Sequence, residues 1–343
     1  MTRSTRTATL LDAYALRRLR FSPVGGVLGT LESPCAPNAL SLLLALTACG
    51  GCHHLLVTHV GRRLEGAVHL TAHGYAKRWE VAQTSGPSED SGWLPELLQA
   101  ATVAAAAAGM EKIVARVGHH DPRLAQFEDA GFRPYAQETV FGQEIAPSNG
   151  ADEEQHGRPF SKDDVWTLQR LYNSMTPQNV GNMELMTARE FLKPFRQGVV
   201  IEDGGIIQAA GGYLPRRPQE VALLRLLVRV DAVAAGEAAL LELVRRLGTR
   251  GVRAALLPVR DYMADCLTAA RLAGMTPVMT RAVMVKHTAA LVRPPVFNRL
   301  RENPATLPAV NGTRLVHNGS HSPQCRLHNE TPARRREAPV SVA

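Results

Sequence analysis

The sequence has little that would mark an exported or membrane-embedded protein. Its 343 residues include five cysteines, an odd number with no disulfide-framework spacing, which predicts a reducing compartment. No apolar run approaches the roughly 18 to 20 residues that a membrane-spanning helix needs. Residues 39–48 are apolar and precede Cys49 as in a lipoprotein leader, but the preceding stretch is too long for one. We therefore expect a cytoplasmic protein that does not bind membranes.

The chain also lacks a broad excess of positive charge. Its formal net charge is +8, but residues 293–343 hold eight Arg and three Glu, which leaves an excess of three on residues 1–292. A basic, proline-rich tail that is poor in aromatic residues is typical of disorder. We therefore predict a disordered basic tail over residues 293–343 and no binding of nucleic acid.

Metal-binding motifs are scarce as well. Cys49, Cys52 and His53 match the haem-attachment pattern, but attachment needs export and usually a second axial ligand, and the sequence marks neither. The same residues also fit a Gly-Gly turn that leads into a strand, the interpretation that we favour. A zinc site would need another ligand pair at matching spacing, so we predict no metal. The segment His119-His120-Asp121 is typical of a solvated loop after a strand.

What the sequence does contain is a long internal repeat. Ala130-Gly131-Phe132-Arg133-Pro134 returns about 143 residues later as Ala273-Gly274-Met275-Thr276-Pro277. Gly61 and Gly204 keep the same offset. A repeat of this length matches a whole domain. We therefore predict an N-terminal domain at residues 1–145, a linker at 146–157 and a C-terminal domain at 158–292.

Both halves show one order of elements: strands first, then helix, strand, helix and strand. Alternating and β-branched segments predict strands at residues 55–60, 66–71, 78–83, 112–117 and 135–143, with helices at 94–108 and 122–129. The second half predicts strands at 199–201, 206–213, 221–230, 252–259 and 278–286, with helices at 161–174, 188–195, 234–247 and 262–272. The pattern indicates an α/β fold, of the α+β kind, with mixed sheets.

The element order and the Ala-Gly-Phe-x-Pro turn at residues 130–134 resemble the GNAT superfamily of acyl-CoA-dependent N-acyltransferases, in a tandem arrangement. The resemblance covers residues 5–145 and 158–289. It implies a mixed sheet that is splayed between its fourth and fifth strands, with the thioester of acetyl-CoA in the gap. It also implies transfer of an acyl group from acyl-CoA, the co-substrate, to an amine of a small molecule or peptide. Two fused halves then provide the contact that single-domain relatives make as dimers, so that a monomer would be pseudo-dimeric.

The resemblance places the CoA pyrophosphate at the N-terminus of the helix after the fourth strand, where small residues let phosphates approach backbone N–H groups. In the first half Gly92 takes the place of the first glycine, but Glu89 and Leu94 depart from the family pattern. A second register, over residues 83–88, recovers Gln83 and Gly86 but includes Pro87. In the second half the candidate cofactor-binding residues are Val230, Ala232, Ala234, Ala235 and Gly236. Because these are less obstructed, we expect the C-terminal half to be the one that binds acyl-CoA.

The catalytic residues that the resemblance implies are partly missing. The family's usual general acid is a Tyr four residues before the Gly-Phe turn, and Phe127 and Ala270 stand there without a hydroxyl. The candidate base is Glu80 on the fourth strand. If Trp79 points into the core, strand alternation turns Glu80 to solvent. Two functions follow as hypotheses: an N-acyltransferase, or a catalytically inactive GNAT-fold protein that serves as a binding or scaffold module.

Overall fold

The computed structural model describes residues 3–19, 21–24, 53–61, 63–73, 76–86, 92–147, 157–184, 188–214 and 221–288. All of them belong to one compact unit, Met1–Leu291. The predicted tail at residues 293–343, most of the predicted linker, the lipoprotein-like segment, and Cys49 and Cys52 lie outside the described residues.

The N-terminal half follows the predicted order of elements. Its strands are β1 (Arg3–Thr7), β2 (Ser22–Pro23), β3 (His53–Val60), β4 (Arg63–His73), β5 (Arg78–Ser85), β6 (Lys112–Gly118) and β7 (Arg133–Glu144). Its helices are α1 (Ala13–Leu16), α2 (Trp93–Ala107) and α3 (Arg123–Asp129). Helix α2 forms because it is rich in Leu and Ala, and it ends before Gly109, whose positive φ of 73° closes the helix.

The C-terminal half repeats this order after three short helices. Its strands are β8 (Arg158–Pro159), β9 (Val199–Asp203), β10 (Ile206–Leu214), β11 (Val221–Val228), β12 (Ala254–Arg260) and β13 (Thr276–His287). Its helices are α4 (Val165–Met175), α5 (Gln178–Met183), α6 (Ala188–Leu192), α7 (Val233–Gly248) and α8 (Ala264–Leu272). Helix α6 is shorter than predicted because Pro194 follows it. Among the described residues, no helix has both the length and the apolar character to cross a membrane.

The described strands form one continuous mixed sheet in the order β1-β3-β4-β5-β6-β13-β7-β12-β11-β10-β9-β8, and β2 pairs with β5 beside this path. The last strands of the two halves are exchanged. Strand β13 pairs antiparallel with β6 of the first half, and β7 pairs antiparallel with β12 of the second half. Strands β7 and β13 also pair with each other at the centre. The strand order is therefore the same from either end, as in a two-fold symmetric dimer.

The exchange makes the two hydrophobic cores depend on each other. Ala282 and Met284 of β13 pack in the first core with Leu97 of α2 and Phe127 of α3. Phe141 of β7 packs in the second core, which contains the apolar faces of α7 and α8. The division into domains at residues 1–145 and 158–292 stays a prediction. It describes the two copies of the repeat along the chain, and each hydrophobic core also contains a strand from the other half.

The sheet is splayed at the same place in both halves, as the resemblance implies. Strands β5 and β6 run parallel and pair only from Arg78 with Lys112 to Glu80 with Val114. Strands β11 and β12 pair only from Val221 with Ala254 to Leu223 with Leu256. Beyond these residues each parallel pair diverges and leaves a gap between the fourth and fifth strands of its half.

The exchange predicts that the halves stay together when the chain is cut between them. A protease site placed within residues 148–156 should yield two fragments that co-elute on size exclusion under native conditions, because β7 remains paired with β12 and β13. In denaturant the same fragments should elute separately. Native fragments that elute as two separate species would show that β7 and β13 are not exchanged.

Candidate functional site

The gap of the N-terminal half opens into a cleft of about 690 Å³. One wall is the end of β5, with Thr84, Ser85 and Gly86, and the opposite wall is Gly118 with the loop that follows it. The start of β13, including Met279, completes the cleft. The cleft is therefore built by both halves, because β13 reaches it only through the strand exchange.

Polar side chains from the loop after β6 surround the mouth of this cleft. His119 and His120 are exposed, as predicted for a solvated loop, with ring centroids 6.2 Å apart. Asp121 forms an ion pair with Arg123 at 2.6 Å. Burial would raise the pKa of Asp121, but hydrogen bonds from Arg123 outweigh burial and hold this pKa below its ordinary value. The Arg123–Asp121 pair is therefore charged and fixes the position of the guanidinium.

The short strand β2 lies in the gap beside β5. Ser22 pairs with Thr84 and Pro23 with Gln83, and the Val24 N–H donates to the Ala82 carbonyl at 3.0 Å. Sequence patterns did not indicate this strand, because two residues carry no periodicity. The chain itself thus occupies the edge of β5 beside which the resemblance places the thioester.

Arg123 joins β2 to both sides of the gap. Its Nη1 donates to Thr84 Oγ1 at 2.7 Å, and its Nη2 donates to the Pro23 carbonyl at 3.3 Å. Because the same guanidinium is paired with Asp121, it connects β5, β2 and the loop after β6. Arg123 therefore holds β2 in place.

Strand β5 carries a β-bulge that β11 does not show. In the β4–β5 ladder His69 opposes Gln83 and Leu70 opposes Val81, so Ala82 is the extra residue. The β10–β11 ladder is regular from Ala209 to Leu214. A bulge leaves backbone groups outside the regular ladder and bends the strand. The two gaps therefore differ in backbone geometry although their strand order is the same.

The first predicted cofactor-binding residue, Gly92, directly precedes α2. It is exposed and has a φ of 62°, and a Cβ placed on it would lie 3.7 Å from Nη1 of Arg3. The adjacent Trp93 is buried, and its indole would clash with a side chain at either Gly66 or Gly86. The space beside this helix end is thus filled by an indole. Phosphate binding by Gly92 stays a prediction, and Glu89 lies outside the described residues.

The predicted cofactor-binding residues of the second half lie at the start of α7. Val230 is exposed and Ala232 is the N-cap, with no side-chain cap. The N–H groups of Ala235 and Gly236 donate to the Ala232 carbonyl at 3.1 and 3.2 Å, so they are used inside the helix. Ala234 is exposed on the first turn. Binding of acyl-CoA by these residues stays a prediction.

Gly236 has a packing reason to be glycine. A Cβ there would lie 2.6 Å from Cγ2 of Val228 and 2.9 Å from Cβ of Ala269. The glycine therefore lets α7 approach β11 and α8 closely. Its small size does not by itself indicate a phosphate site.

Among the described residues, the gap of the C-terminal half contains only a small cavity. The cavity between Leu226 of β11 and Val259 of β12 has a volume of only about 60 Å³. Next to this gap Cys266 is buried with its Sγ 3.9 Å from the Leu226 carbonyl, and burial raises the pKa of its thiol to about 12. Cys266 is a protonated core residue under ordinary conditions.

The prediction that Glu80 points to solvent is wrong. Trp79 is buried at 2% exposure, as assumed, but the Glu80 side chain on the opposite face is only 13% exposed and forms an ion pair with Arg116 of β6. That face is covered by α5 of the second half, where the Asn182 carbonyl accepts from Nζ of Lys112 at 2.9 Å. One sequence shows strand alternation but not which element covers the second face. Glu80 lies at the last paired position before the gap opens.

A buried ion network continues from this point across the centre of the sheet. Glu138 of β7 accepts from Nε of Arg281 of β13 at 2.6 Å and lies 3.1 Å from Nη1 of Arg260 of β12. Arg260 also pairs with Glu184, which accepts from the Tyr135 hydroxyl at 3.1 Å. Burial would raise the pKa of Glu138, but the charges of Arg281 and Arg260 lower it to about 2.

The signal for this network was present in the repeat. Glu138 and Arg281 are separated by 143 residues, which is the repeat offset, and they face each other in the β7–β13 ladder. Equivalent positions can face each other only at a two-fold axis. The offset alone could not show that such an axis exists.

The positions that the resemblance assigns to the general acid are buried in the cores. Phe127 packs edge-on against Phe132 with ring centroids 5.3 Å apart, and Ala270 is fully buried. Neither side chain can donate a proton. A general acid, if the chain uses one, must come from another residue or from water.

Comparisons with known proteins show the fold. No protein-family model matches the chain, and no curated protein matches it. A GCN5-related N-acetyltransferase from Sphaerobacter thermophilus is 17% identical in sequence, with a TM-score of 0.55 over 84% of this chain and 96% of that one. A tandem GNAT protein from the clavulanic acid biosynthesis pathway is 14% identical, with a TM-score of 0.49 over 80% of this chain and 99% of that one.

The splayed α/β sheet, its repeated helices and the first of these similarities define the class. The chain has the fold of the GNAT acetyltransferases, in the tandem form that its own internal repeat shows. This confirms the predicted fold. At such low identity the similarity extends to the fold alone.

The buried network predicts a large loss of stability in Glu138→Gln. The substitution leaves Arg281 and Arg260 without their shared carboxylate, and breaking a buried pair in this way typically costs about 3 to 5 kcal/mol. Urea unfolding of the variant and the wild type measures the difference. A loss below about 1 kcal/mol would contradict the network.

The dependence of the free energy of unfolding on acid pH provides a second test of the network. Because the folded pKa of Glu138 lies at about 2, below the unfolded value, its contribution is present above the unfolded pKa and is lost as the pH falls through about 2. Glu138→Gln should therefore flatten the decrease in stability between about pH 4.5 and pH 2.

The contacts of Arg123 predict that Arg123→Gln loosens β2. The variant loses the hydrogen bond to the Pro23 carbonyl, and its shorter side chain reaches Thr84 less well. The amide of Val24 should therefore exchange with solvent faster than in the wild type. Hydrogen exchange measures this rate, and Arg133→Gln, at an exposed position, is the control. Unchanged protection of Val24 would show that Arg123 does not hold β2.

Proposed function

We propose that the chain is an acyl-CoA-dependent N-acyltransferase whose N-terminal cleft binds the acyl-CoA. The observation that supports this most is the divergence of β5 and β6 after Glu80, which opens onto a cleft of about 690 Å³. The corresponding cavity of the second half is about 60 Å³, too small for an acylated thiol arm. The proposal therefore moves the cofactor from the loop at Val230–Gly236, where the sequence favoured it, to the N-terminal half.

The reaction is the transfer of an acyl group to an amine of a small molecule or peptide. The amine nitrogen attacks the thioester carbonyl, the C–S bond breaks, and CoA departs as its thiolate while the amine loses a proton. Backbone groups displaced by the bulge at Ala82 can stabilise the oxyanion, because N–H groups fixed before the reaction favour developing negative charge. Glu80 remains the candidate base at the foot of the gap, where Arg116 fixes its carboxylate.

Access to this site requires β2 to move or to form one wall of it. Ser22, Pro23 and Val24 use the edge of β5 at Ala82 to Thr84. An acyl chain in the gap must either displace this strand or lie beside it, next to Ser22 in the cleft.

A second candidate function is a catalytically inactive GNAT-fold protein that serves as a binding or scaffold module. The pairing of β2 with β5 favours it, because the chain fills part of the gap itself. The absence of a hydroxyl at Phe127 and Ala270 points the same way. Both functions share the fold, so only binding and turnover can separate them.

A thermal-shift titration with acetyl-CoA and CoA tests the proposed site. Ligand at about 100 times its dissociation constant should stabilise the wild type by about 2.7 kcal/mol. Gly118→Asp should abolish this shift, because it places a carboxylate in the cleft at a position with room for a side chain. Ala235→Asp, in the first turn of α7, is the matched control and should keep the shift.

The outcomes separate the alternatives. No shift in the wild type at millimolar CoA would contradict acyl-CoA binding. A shift lost in Ala235→Asp but kept in Gly118→Asp would return the site to the C-terminal half. Binding without release of free thiol in the presence of a panel of amines would favour the inactive binding module.

A further inference from the structure

The small cavity in the C-terminal gap is also lined by residues of the first half, and it has more cations than carboxylates. Its volume is about 60 Å³, and it is lined by Arg78 and Arg116 from the first half and by Arg225 and Arg260 from the second. Glu138 and Glu184 also line it. The cavity exists only in the assembled sheet, because its guanidinium groups come from both halves.

Two of these four guanidinium groups form no ion pair with a described residue. Arg260 pairs with Glu138 and Glu184, and Arg116 pairs with Glu80. Glu138 is shared further with Arg281. Every carboxylate at the cavity therefore already has an arginine partner. Arg78 and Arg225 have no ion pair with any described residue.

Arg78 is the more unusual of the two, because it is buried. It is only 8% exposed, and its Nε is buried with no hydrogen-bond partner in the described part of the chain. Lys112, another cation, faces it in the β5–β6 ladder. A buried guanidinium beside a second cation and without an acceptor is costly. An anion in the cavity would remove that cost.

A groove lies next to this cavity. It has a volume of about 450 Å³ and shares Tyr172, Glu184 and Phe191 with the cavity. Its other walls carry amide side chains, including Asn173 and Asn182, which can both donate and accept hydrogen bonds. The cavity thus has room for a small charged group, and the groove has room for an uncharged polar body.

We propose that Arg78 and Arg225 bind the oxyanion head group, a carboxylate or a phosphate, of a small molecule whose body lies in this groove. A guanidinium offers paired N–H donors in a planar fork that matches such an oxyanion. Binding of the anion stands independently of acyl transfer. Where the proposed acyltransferase function holds, the bound molecule is the acceptor, since Arg116 at the cavity pairs with Glu80 at the foot of the N-terminal gap.

The test measures the thermal unfolding of the full chain with sodium acetate or sodium phosphate, each against sodium chloride at equal ionic strength. We expect a saturable rise in the midpoint with at least one oxyanion, and the stronger of the two assigns the head group. Arg78→Gln should weaken this binding at least tenfold, and Arg225→Gln should weaken it as well. Arg229→Gln, which removes an exposed charge directly after β11, should bind as the wild type does.

The ligand-free protein gives a second readout. If the role of Arg78 is to bind an anion, its buried charge is uncompensated when only chloride is present. Arg78→Gln removes this charge and should therefore unfold at the same or a higher temperature than the wild type. A lower midpoint in chloride would mean that Arg78 serves only the fold and would overturn the proposal. So would the absence of an oxyanion-specific shift in the wild type, or a shift that Arg78→Gln retains. None of these results depends on acyl-CoA, so a failure here is distinct from a failure of the proposed function.

Discussion

The pairing of β7 with β13 is the constraint on which the rest of the structure depends. Glu138 and Arg281 occupy equivalent positions of the repeat and face each other across this ladder. In a homodimer a position on the two-fold axis faces its own copy, so an acid would meet an acid and an arginine an arginine. Fusion of two copies removes this restriction, because each half can mutate independently. The buried ion pair at the axis requires two copies that differ in sequence, and the fused chain provides them.

The same independence accounts for the difference between the two gaps. Both halves keep the diverging parallel strands, but the first has a bulge in β5 and an open cleft. In the second, the described residues form a regular β11 and leave only a small cavity in the gap. The exchanged strands nevertheless make each half contribute residues to the other's sites. The cleft of the first half uses Met279 of β13, and the small cavity in the C-terminal gap uses arginines from both halves.

The features of the N-terminal cleft do not all favour catalysis. Phe127 retains the packing of an aromatic ring without a hydroxyl, and Arg123 fixes a short strand in the gap. The ion pair with Arg116 keeps the Glu80 carboxylate at the foot of the gap. The same ion pair also occupies this carboxylate, which does not favour its use as a base. The structure thus combines the open frame of an acyltransferase with contacts that ligand binding would have to rearrange.

Local patterns in the sequence determined the repeat, the order of the elements, the turns at Gly131 and Gly274 and, through the resemblance, the place of the splay. These depend on periodicity and turn residues within short segments. Only the tertiary structure decided which strands are exchanged, that the face carrying Glu80 is covered, and that Gly236 serves helix packing. Strands with the same alternation can pair in either half, and the choice depends on contacts between residues more than a hundred positions apart. For the same physical reason the pairing of Glu138 with Arg281 and the excess of arginine around Arg78 became visible only in the assembled sheet.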